Sequence, residues 1–371
     1  MNHNSVFKIN VNQIKQNFQH TLSNLKQETN VILVLKSNAY GHGLLKIAKL
    51  FEKEKRVTHF GIAQPLEAIE LRQYGINKDI MLLCGIDPSQ LELMVENNIQ
   101  LLIHSDESLR MITQYLKEKD IKDYPVNLKI NTGLNRLGFT INELKETIHL
   151  LSNNPHIKIQ STYTHFKDGA AQYSEVTYHQ KELYDEAILL LEKHKVDYGF
   201  KHLCDSGASE WFKEAHYDAV RVGRALYMDN PLKPEKERYH DVGTWLAKLI
   251  SIREIKKGES YGYGQAKIAD KNMTIGIINI GYGDGLLILE DQIEIYVLVN
   301  NKKAKILSVA MDQTYLDLTG ISAKPYDEVT IFGTSSTGAY MSSNEISKQF
   351  GDEGCTLTTY ISKRVKREYI L

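Results

Sequence analysis

Chemistry is concentrated where an apolar run meets an amine. Val31-Ile-Leu-Val-Leu supplies five aliphatic residues, Lys36 follows directly, and Ser37-Asn-Ala-Tyr40-Gly-His-Gly43 completes the segment. An amine at the end of a buried strand loses part of its hydration. Its pKa falls, and the neutral form can make a Schiff base with an aldehyde. The two glycines allow a sharp turn before the next helix. A lysine that merely snorkels at a strand end is the plainer alternative, and position alone favours it. Cys84, Cys204 and Cys355 lie far apart, and no Cys or His pair has the spacing of a metal site. They predict reduced thiols, a cytoplasmic chain and no metal.

The elements that would position Lys36 follow from the hydrophobic pattern. Runs at 31–35, 59–63, 80–84, 101–104, 126–130, 157–164, 199–204 and 219–222 are rich in Val, Ile and Leu, as buried parallel strands are. Helical patterns separate them. Leu183, Ala187, Leu190 and Leu191 share one face, and Pro65 opens another helix near its first turn. Strands alternating with helices predict an α/β architecture: an N-terminal (β/α)8 TIM barrel over residues 1–235, with its chemistry at the carboxyl ends of the strands. Prolines and charges between Asp229 and Asp241 read as a linker. Beyond it strand-like runs dominate, at 245–255, 274–280, 294–299, 305–310, 315–318 and 329–332, and only 344–350 looks helical. Residues 236–371 are therefore expected to form a C-terminal, mainly β domain. Lys363, Arg364, Lys366 and Arg367 alternate around Val365 as a strand with a solvated face does.

A net charge of −1, with 25% charged and 42% hydrophobic residues, provides no field for nucleic acid or an anionic membrane. No apolar run approaches the roughly 20 residues of a membrane span. The first residues lack the basic and apolar regions of a signal peptide.

Lys36-Ser37-Asn38-Ala39-Tyr40-Gly41-His42-Gly43 resembles the cofactor-lysine signature of the alanine racemases, with Ser37 where alanine is usual. Similar segments run from Lys36 to Arg367. The resemblance implies a barrel followed by a β domain, pyridoxal 5'-phosphate (PLP) as cofactor, and an isomerase that interconverts L- and D-alanine, the latter for the cell wall. It implies that Lys36 holds PLP covalently and serves one face of the substrate's α-carbon. Tyr40 would bind the phosphate, as would Ser206 in His202-Leu-Cys-Asp-Ser206-Gly-Ala-Ser. Arg221, in Arg221-Val-Gly223-Arg224-Ala-Leu-Tyr, would face the pyridine nitrogen, with the backbone around Gly223 and Arg224 on the phosphate. Hydroxyls and backbone N–H groups at loop-to-helix turns suit a dianion. A guanidinium cannot accept a proton, so the nitrogen would stay largely unprotonated, favouring return of the α-proton over transamination. His165 would stack on the ring. Arg136, in Lys129-Ile-Asn131-Thr-Gly-Leu-Asn-Arg136-Leu-Gly, would reach the substrate carboxylate and the cofactor's phenolic oxygen. Lys129 stands where many relatives carry a carbamylated lysine that orients this arginine; a lysine paired with a carboxylate is the alternative. Asn131 replaces the usual aspartate.

Inversion of a stereocentre needs a base on each face of the α-carbon. The resemblance takes the second from a partner subunit. In Gly258-Glu-Ser-Tyr261-Gly-Tyr263-Gly-Gln265 two tyrosines compete, and alignment from both flanking motifs selects Tyr263. With an unperturbed pKa of about 10 it would need cationic neighbours. Met311 would offer its amide to the substrate carboxylate from the partner, and Tyr282 would line the access corridor. A head-to-tail homodimer with shared sites follows. Taken alone, Ser206 is a helix cap, His165 a core histidine and Tyr263 a surface tyrosine. The chain departs from the pattern at Cys355, where a tyrosine is expected (Tyr360 substitutes if the register slips), and at Arg224, where an aliphatic residue is usual. A missing phenol leaves room near the substrate methyl, so serine or a broader range of amino acids is the alternative substrate. A PLP-dependent decarboxylase of basic amino acids is a more distant alternative. Such enzymes share the barrel and β domain but not the Lys36–Gly43 string or an arginine at 221.

Overall fold

The structure is a computed structural model that describes residues 5–228, 239–263, 267–286, 294–349 and 356–371. The chain divides into two compact units. One, the barrel unit, comprises Gln19–Ala39 and Gly43–Ala225; the other, the β unit, comprises Met1–Phe18, Tyr40–His42 and Leu226–Leu371.

The first strand of the chain, β1 (Val6–Asn10), belongs to the β unit. The barrel unit holds the next eight: β2 (Asn30–Val34), β3 (Val57–Ile62), β4 (Asp79–Leu82), β5 (Leu101–Ile103), β6 (Tyr124–Lys129), β7 (Ile157–Tyr163), β8 (Phe200–His202) and β9 (Ala219–Val222). All eight fall on the apolar runs read from the sequence. They form two parallel sheets, β4-β3-β2-β9 and β5-β6-β7-β8. Two seams join the sheets into a ring. Gln100 exchanges backbone hydrogen bonds with Ile80 (2.9 Å) and Leu82 (3.0 Å), and the Asp218 and Arg221 N–H groups donate to Lys201 (3.1 Å) and Cys204 (2.9 Å). Runs such as Val31–Val34 and Ile80–Leu82 are buried on both faces, each aliphatic side chain contributing about 1.5–3 kcal/mol.

Helices return the chain between strands. Ser105 and Thr140 cap Asp106–Glu118 and Ile141–Leu151, and Pro65 opens Pro65–Gln73 at its first turn. In Glu175–Lys193 the buried stripe is Tyr184, Ala187, Ile188 and Leu191. Leu183 and Leu190, expected on that face, are only half-buried; Tyr184, whose hydroxyl donates to the Thr162 carbonyl, turns the stripe by one residue.

The β unit contains β1 and then β10 (Gly243–Ile255), β11 (Met273–Ile278), β12 (Tyr296–Val299), β13 (Lys302–Val309), β14 (Thr314–Asp317), β15 (Glu328–Thr334), β16 (Tyr340–Met341) and β17 (Lys366–Ile370). The sheet order is β16-β15-β12-β13-β14-β11-β10-β1-β17, and β15 also pairs with β10. Strands β10, β11, β14, β13, β12 and β15 thereby close on themselves. Antiparallel pairing holds throughout except for β1 against β17. No single cut in the sequence describes this unit, because β1 is hydrogen-bonded between β10 and β17. Two helices are present among the described residues after 340, Ser343–Gln349 and Thr356–Tyr360, one more than the sequence pattern suggested. No helix among the described residues is long and apolar enough to cross a membrane.

Candidate active site

Lys36 lies two residues beyond the end of β2, at the carboxyl-terminal mouth of the barrel. The backbone after it is unusual. Ser37, Asn38, Ala39 and Tyr40 all have φ between 52° and 56°, a left-handed turn built without glycine. Each such residue costs roughly 1–2 kcal/mol, so the turn must be held from outside. Glu67, in the first turn of Pro65–Gln73, does this: its carboxylate accepts from the N–H groups of Asn38 (2.6 Å) and Ser37 (3.3 Å). Burial pushes the Glu67 carboxyl up from its usual range. The Asn38 side chain then caps the following helix at Leu44 N (2.8 Å). In the β unit, Tyr40-Gly41-His42 is secured by β17. Arg367 donates to the carbonyls of Gly41, Ile361, Ser362 and Val365, and the Tyr369 hydroxyl donates to that of His42. Gly41 combines φ +87° with a position where a Cβ would lie 1.9 Å from the Thr358 carbonyl oxygen.

The other barrel-unit candidates also follow strand ends. Lys129 is the last residue of β6, Arg136 lies in the loop beyond it, His165 follows β7, Ser206 follows β8, and Gly223 and Arg224 follow β9. Ser206 Oγ accepts from the N–H groups of Gly223 (3.1 Å) and Ala225 (3.4 Å), which leaves its own proton to donate. Asn131 accepts from Gly133 N and Asn135 N, both at 3.1 Å, and so closes the loop that carries Arg136. Arg136 is exposed, and among the described residues it has no carboxylate partner. Lys129 is 3% exposed and likewise lacks a carboxylate partner among them. Its ammonium sits 5.3 Å from the centre of the Tyr163 ring. Burial first, then the charges of Arg136 and Arg221, lower the Lys129 pKa to about 8.

Arg221 is buried within β9. It donates to the carbonyls of His202 (2.8 Å), Thr164 (2.8 Å) and Leu203 (2.7 Å), and to the Nδ1 atoms of His202 (2.9 Å) and His165 (3.1 Å). Both imidazoles accept there, so each carries its proton on Nε2. Burial, reinforced by Arg221, holds both well below the usual histidine pKa and keeps them neutral. The Tyr163 ring stacks on His202 at 4.6 Å, and its hydroxyl is buried with no partner among the described residues.

In the β unit, Tyr263 is 85% exposed, Met311 55% and Tyr282 42%. Arg364 bridges Asp312 (2.6 Å) and Asp284 (3.3 Å), bracing the loops that carry Met311 and Tyr282. Tyr360 ends the Thr356–Tyr360 helix with its ring exposed, whereas Cys355 lies outside the described residues. Sequence reasoning missed Glu67, Arg367 and the function of Asn131, and it gave His202 no role.

The donor set fits a phosphorylated aldehyde that carries negative charge. It offers an amine on Lys36, a hydroxyl–amide cradle at Ser206, Gly223 and Ala225, and two guanidinium groups with no carboxylate partner among the described residues. A parallel barrel with such a lysine at its mouth, accompanied by an antiparallel β unit, defines the class of barrel enzymes that hold PLP on a strand-end lysine. Comparison with known proteins is more specific. The family profile described as "Alanine racemase, N-terminal domain" matches residues 9–231, and "Alanine racemase, C-terminal domain" matches residues 242–369. A curated relative, "Alanine racemase 2" of Clostridium acetobutylicum, is 31% identical over 98% of this chain and 91% of its own. The solved alanine racemase of Clostridium difficile 630 superposes with a TM-score of 0.90 at 27% identity, covering 100% of this chain and 96% of that one. Similar in fold is the Bartonella henselae alanine racemase, described with covalently bound pyridoxal phosphate (TM-score 0.87, 24% identity, 100% of both chains covered). The chain belongs to the alanine racemase family and is a PLP-dependent isomerase.

Proposed function

We propose that this protein interconverts L- and D-alanine by a two-base exchange of the α-proton. Lys36, Tyr40, Ser206, Arg221, Gly223 and Arg224 would hold PLP, with His165 against its ring. Bound there, PLP supplies an electron sink that acidifies the α-hydrogen of an amino acid. Arg136 holds the substrate carboxylate, aided by the Met311 amide. The Lys36 amine takes or returns the proton on one face of the α-carbon. The Tyr263 hydroxyl serves the other face, contributed by a second copy of the chain.

The observation that carries this reading is the environment of Arg221. A guanidinium bound by three carbonyls and two neutral imidazoles keeps its full charge and accepts no proton. Placed beside the pyridine nitrogen, it would disfavour protonation there and so favour proton return over transamination. The exposure of Tyr263, Met311 and Tyr282 supports a head-to-tail homodimer in which these side chains complete the partner's site. Lys129, buried among cations with a depressed pKa, is suited to carry a carbamate that binds Arg136. We also read the protein as cytoplasmic, acting on a small amino acid without nucleic acid or membrane. Residues 1–235 supply the PLP-binding function and residues 236–371 the partner-completing one.

The test is α-deuterium exchange in D2O with L-alanine and L-serine separately, following label and chirality together. Exchange with loss of optical rotation, faster for alanine, is expected. Faster serine turnover would reassign the substrate. Exchange without inversion would remove Tyr263 as the second base, and no exchange with either substrate would overturn the reading.

A further inference from the structure

The inside of a parallel barrel is normally filled with branched apolar side chains. Here a row of polar ones crosses it. Gln100, just before β5, Asn127 on β6, Ser161 on β7, His202 on β8 and Arg221 on β9 are each at most 5% exposed. They are joined end to end: Arg221 to His202 Nδ1 (2.9 Å), His202 Nε2 to Ser161 Oγ (3.0 Å), Ser161 Oγ to Asn127 Oδ1 (2.6 Å), and Asn127 Nδ2 to Gln100 Oε1 (3.3 Å).

One end fixes the direction of every link. A guanidinium has donors only, so His202 Nδ1 must accept and the ring's proton must lie on Nε2. That N–H needs an acceptor, which Ser161 Oγ supplies. Ser161 then has one proton to give, and it goes to the Asn127 carbonyl oxygen. The Asn127 amide consequently faces Gln100 and donates to its carbonyl oxygen. Five residues from five strand positions thus share one proton polarity, running from Arg221 into the barrel. The row ends on an amide rather than a carboxylate. No negative charge along it offsets the arginine.

We infer that Ser161, Asn127 and Gln100 are positioning residues that anchor the Nε2–H of His202, whose tautomer Arg221 sets, and thereby hold Arg221 stationary toward the cofactor ring. The inference rests on the reading above, in which Arg221 faces the pyridine nitrogen. Removing the Ser161 hydroxyl leaves the His202 Nε2–H buried without an acceptor. The ring must then tilt to find another, and it carries the Arg221 contact with it.

The holoenzyme labelled with 15N-histidine tests the relay directly, His202 being assigned by the signals missing from His202→Asn. The Nε2–H tautomer is expected, neutral through pH 6 to 8. An Nδ1–H tautomer or an imidazolium would overturn the relay, whatever reaction the enzyme catalyses. Ser161→Ala should shift the visible band of bound PLP and lower kcat about ten-fold with the alanine KM within about two-fold, and Ser161→Thr, which keeps the hydroxyl, should restore both. An unshifted band in folded, PLP-loaded Ser161→Ala would overturn the positioning role while leaving the racemase reading intact. Failure of that reading would show separately, as no α-exchange by the unmodified protein.

Discussion

Protonation of Lys129 offers a quantitative test of the site's electrostatics. With a pKa of about 8, against 10.5 for an ordinary lysine, its amine is about 300-fold more often neutral near pH 7, roughly one molecule in ten. The perturbation is pH at a fixed concentration of dissolved carbon dioxide. The neutral amine attacks the carbon of CO2, a C–N bond forms, and one proton leaves to solvent, yielding a carbamate anion. The field of Arg136 and Arg221 that opposes a cation on this nitrogen favours that anion. The sign follows: lowering pH both protonates the amine and drives the proton-releasing reaction backward. Between pH 9 and pH 6 the neutral fraction alone falls about 90-fold. The assay is 13C NMR of the holoenzyme with labelled bicarbonate, reading a carbamate carbon that disappears in Lys129→Ala. Strong occupancy at pH 9, lost by pH 6, is expected. No signal specific to Lys129 at saturating bicarbonate would refute the reasoning, as would a signal indifferent to pH.

Three other perturbations have defined outcomes. Gly41→Ala places a Cβ 1.9 Å from the Thr358 carbonyl oxygen in a left-handed conformation, so urea denaturation should show a loss of at least about 3 kcal/mol; a wild-type midpoint would contradict the geometry. Glu67→Ala removes the acceptor of two N–H groups in the Ser37–Tyr40 turn and should weaken PLP retention by about ten-fold or more, whereas Glu67→Gln, which keeps an oxygen, should lose less; equilibrium PLP titration separates them. Tyr263→Phe should lower racemisation about 10²–10⁴-fold yet preserve α-deuterium exchange with one enantiomer only, checked by chiral chromatography and mass spectrometry. Exchange from both enantiomers in that variant would exclude Tyr263 as a base.

The barrel was legible because strands such as Val31–Val34 and Leu101–Ile103 are continuous Val/Ile/Leu runs between helical patterns, a signal that burial on both faces imposes, even though Phe200-Lys-His202 carries no such run. Strand β1 was not, since Val6-Phe-Lys-Ile-Asn10 is a short alternating stretch whose pairing with β10 and β17 lies far along the chain. The alternation around Val365 pointed to a strand with a solvated face, but Lys363–Val365 form a turn, β17 starts only at Lys366, and Arg367 is half-buried, donating to four carbonyls. Lys36 and its glycines were readable as a motif. The left-handed turn between them was not, because only Asn38 of its four residues favours positive φ; Glu67 holds the turn from another helix. The same holds for the barrel's polar row. Gln100, Asn127 and Ser161 are individually ordinary, and only the closing of the strands brings them together.

Pairing of Val6 with Lys366 has a consequence for biosynthesis. On the ribosome β1 emerges before both of its neighbours, and neither exists until all of the barrel strands have been made. The barrel unit, whose strands pair with neighbours in sequence except where β2 meets β9, can form cooperatively before then. The β unit cannot. It must wait for β10, and finally for β17, whose Arg367 and Tyr369 fasten Gly41 and His42. The Tyr40–His42 segment is thereby fastened only once β17 has been made, so a chain truncated before Lys366 should fold its barrel yet hold that segment poorly.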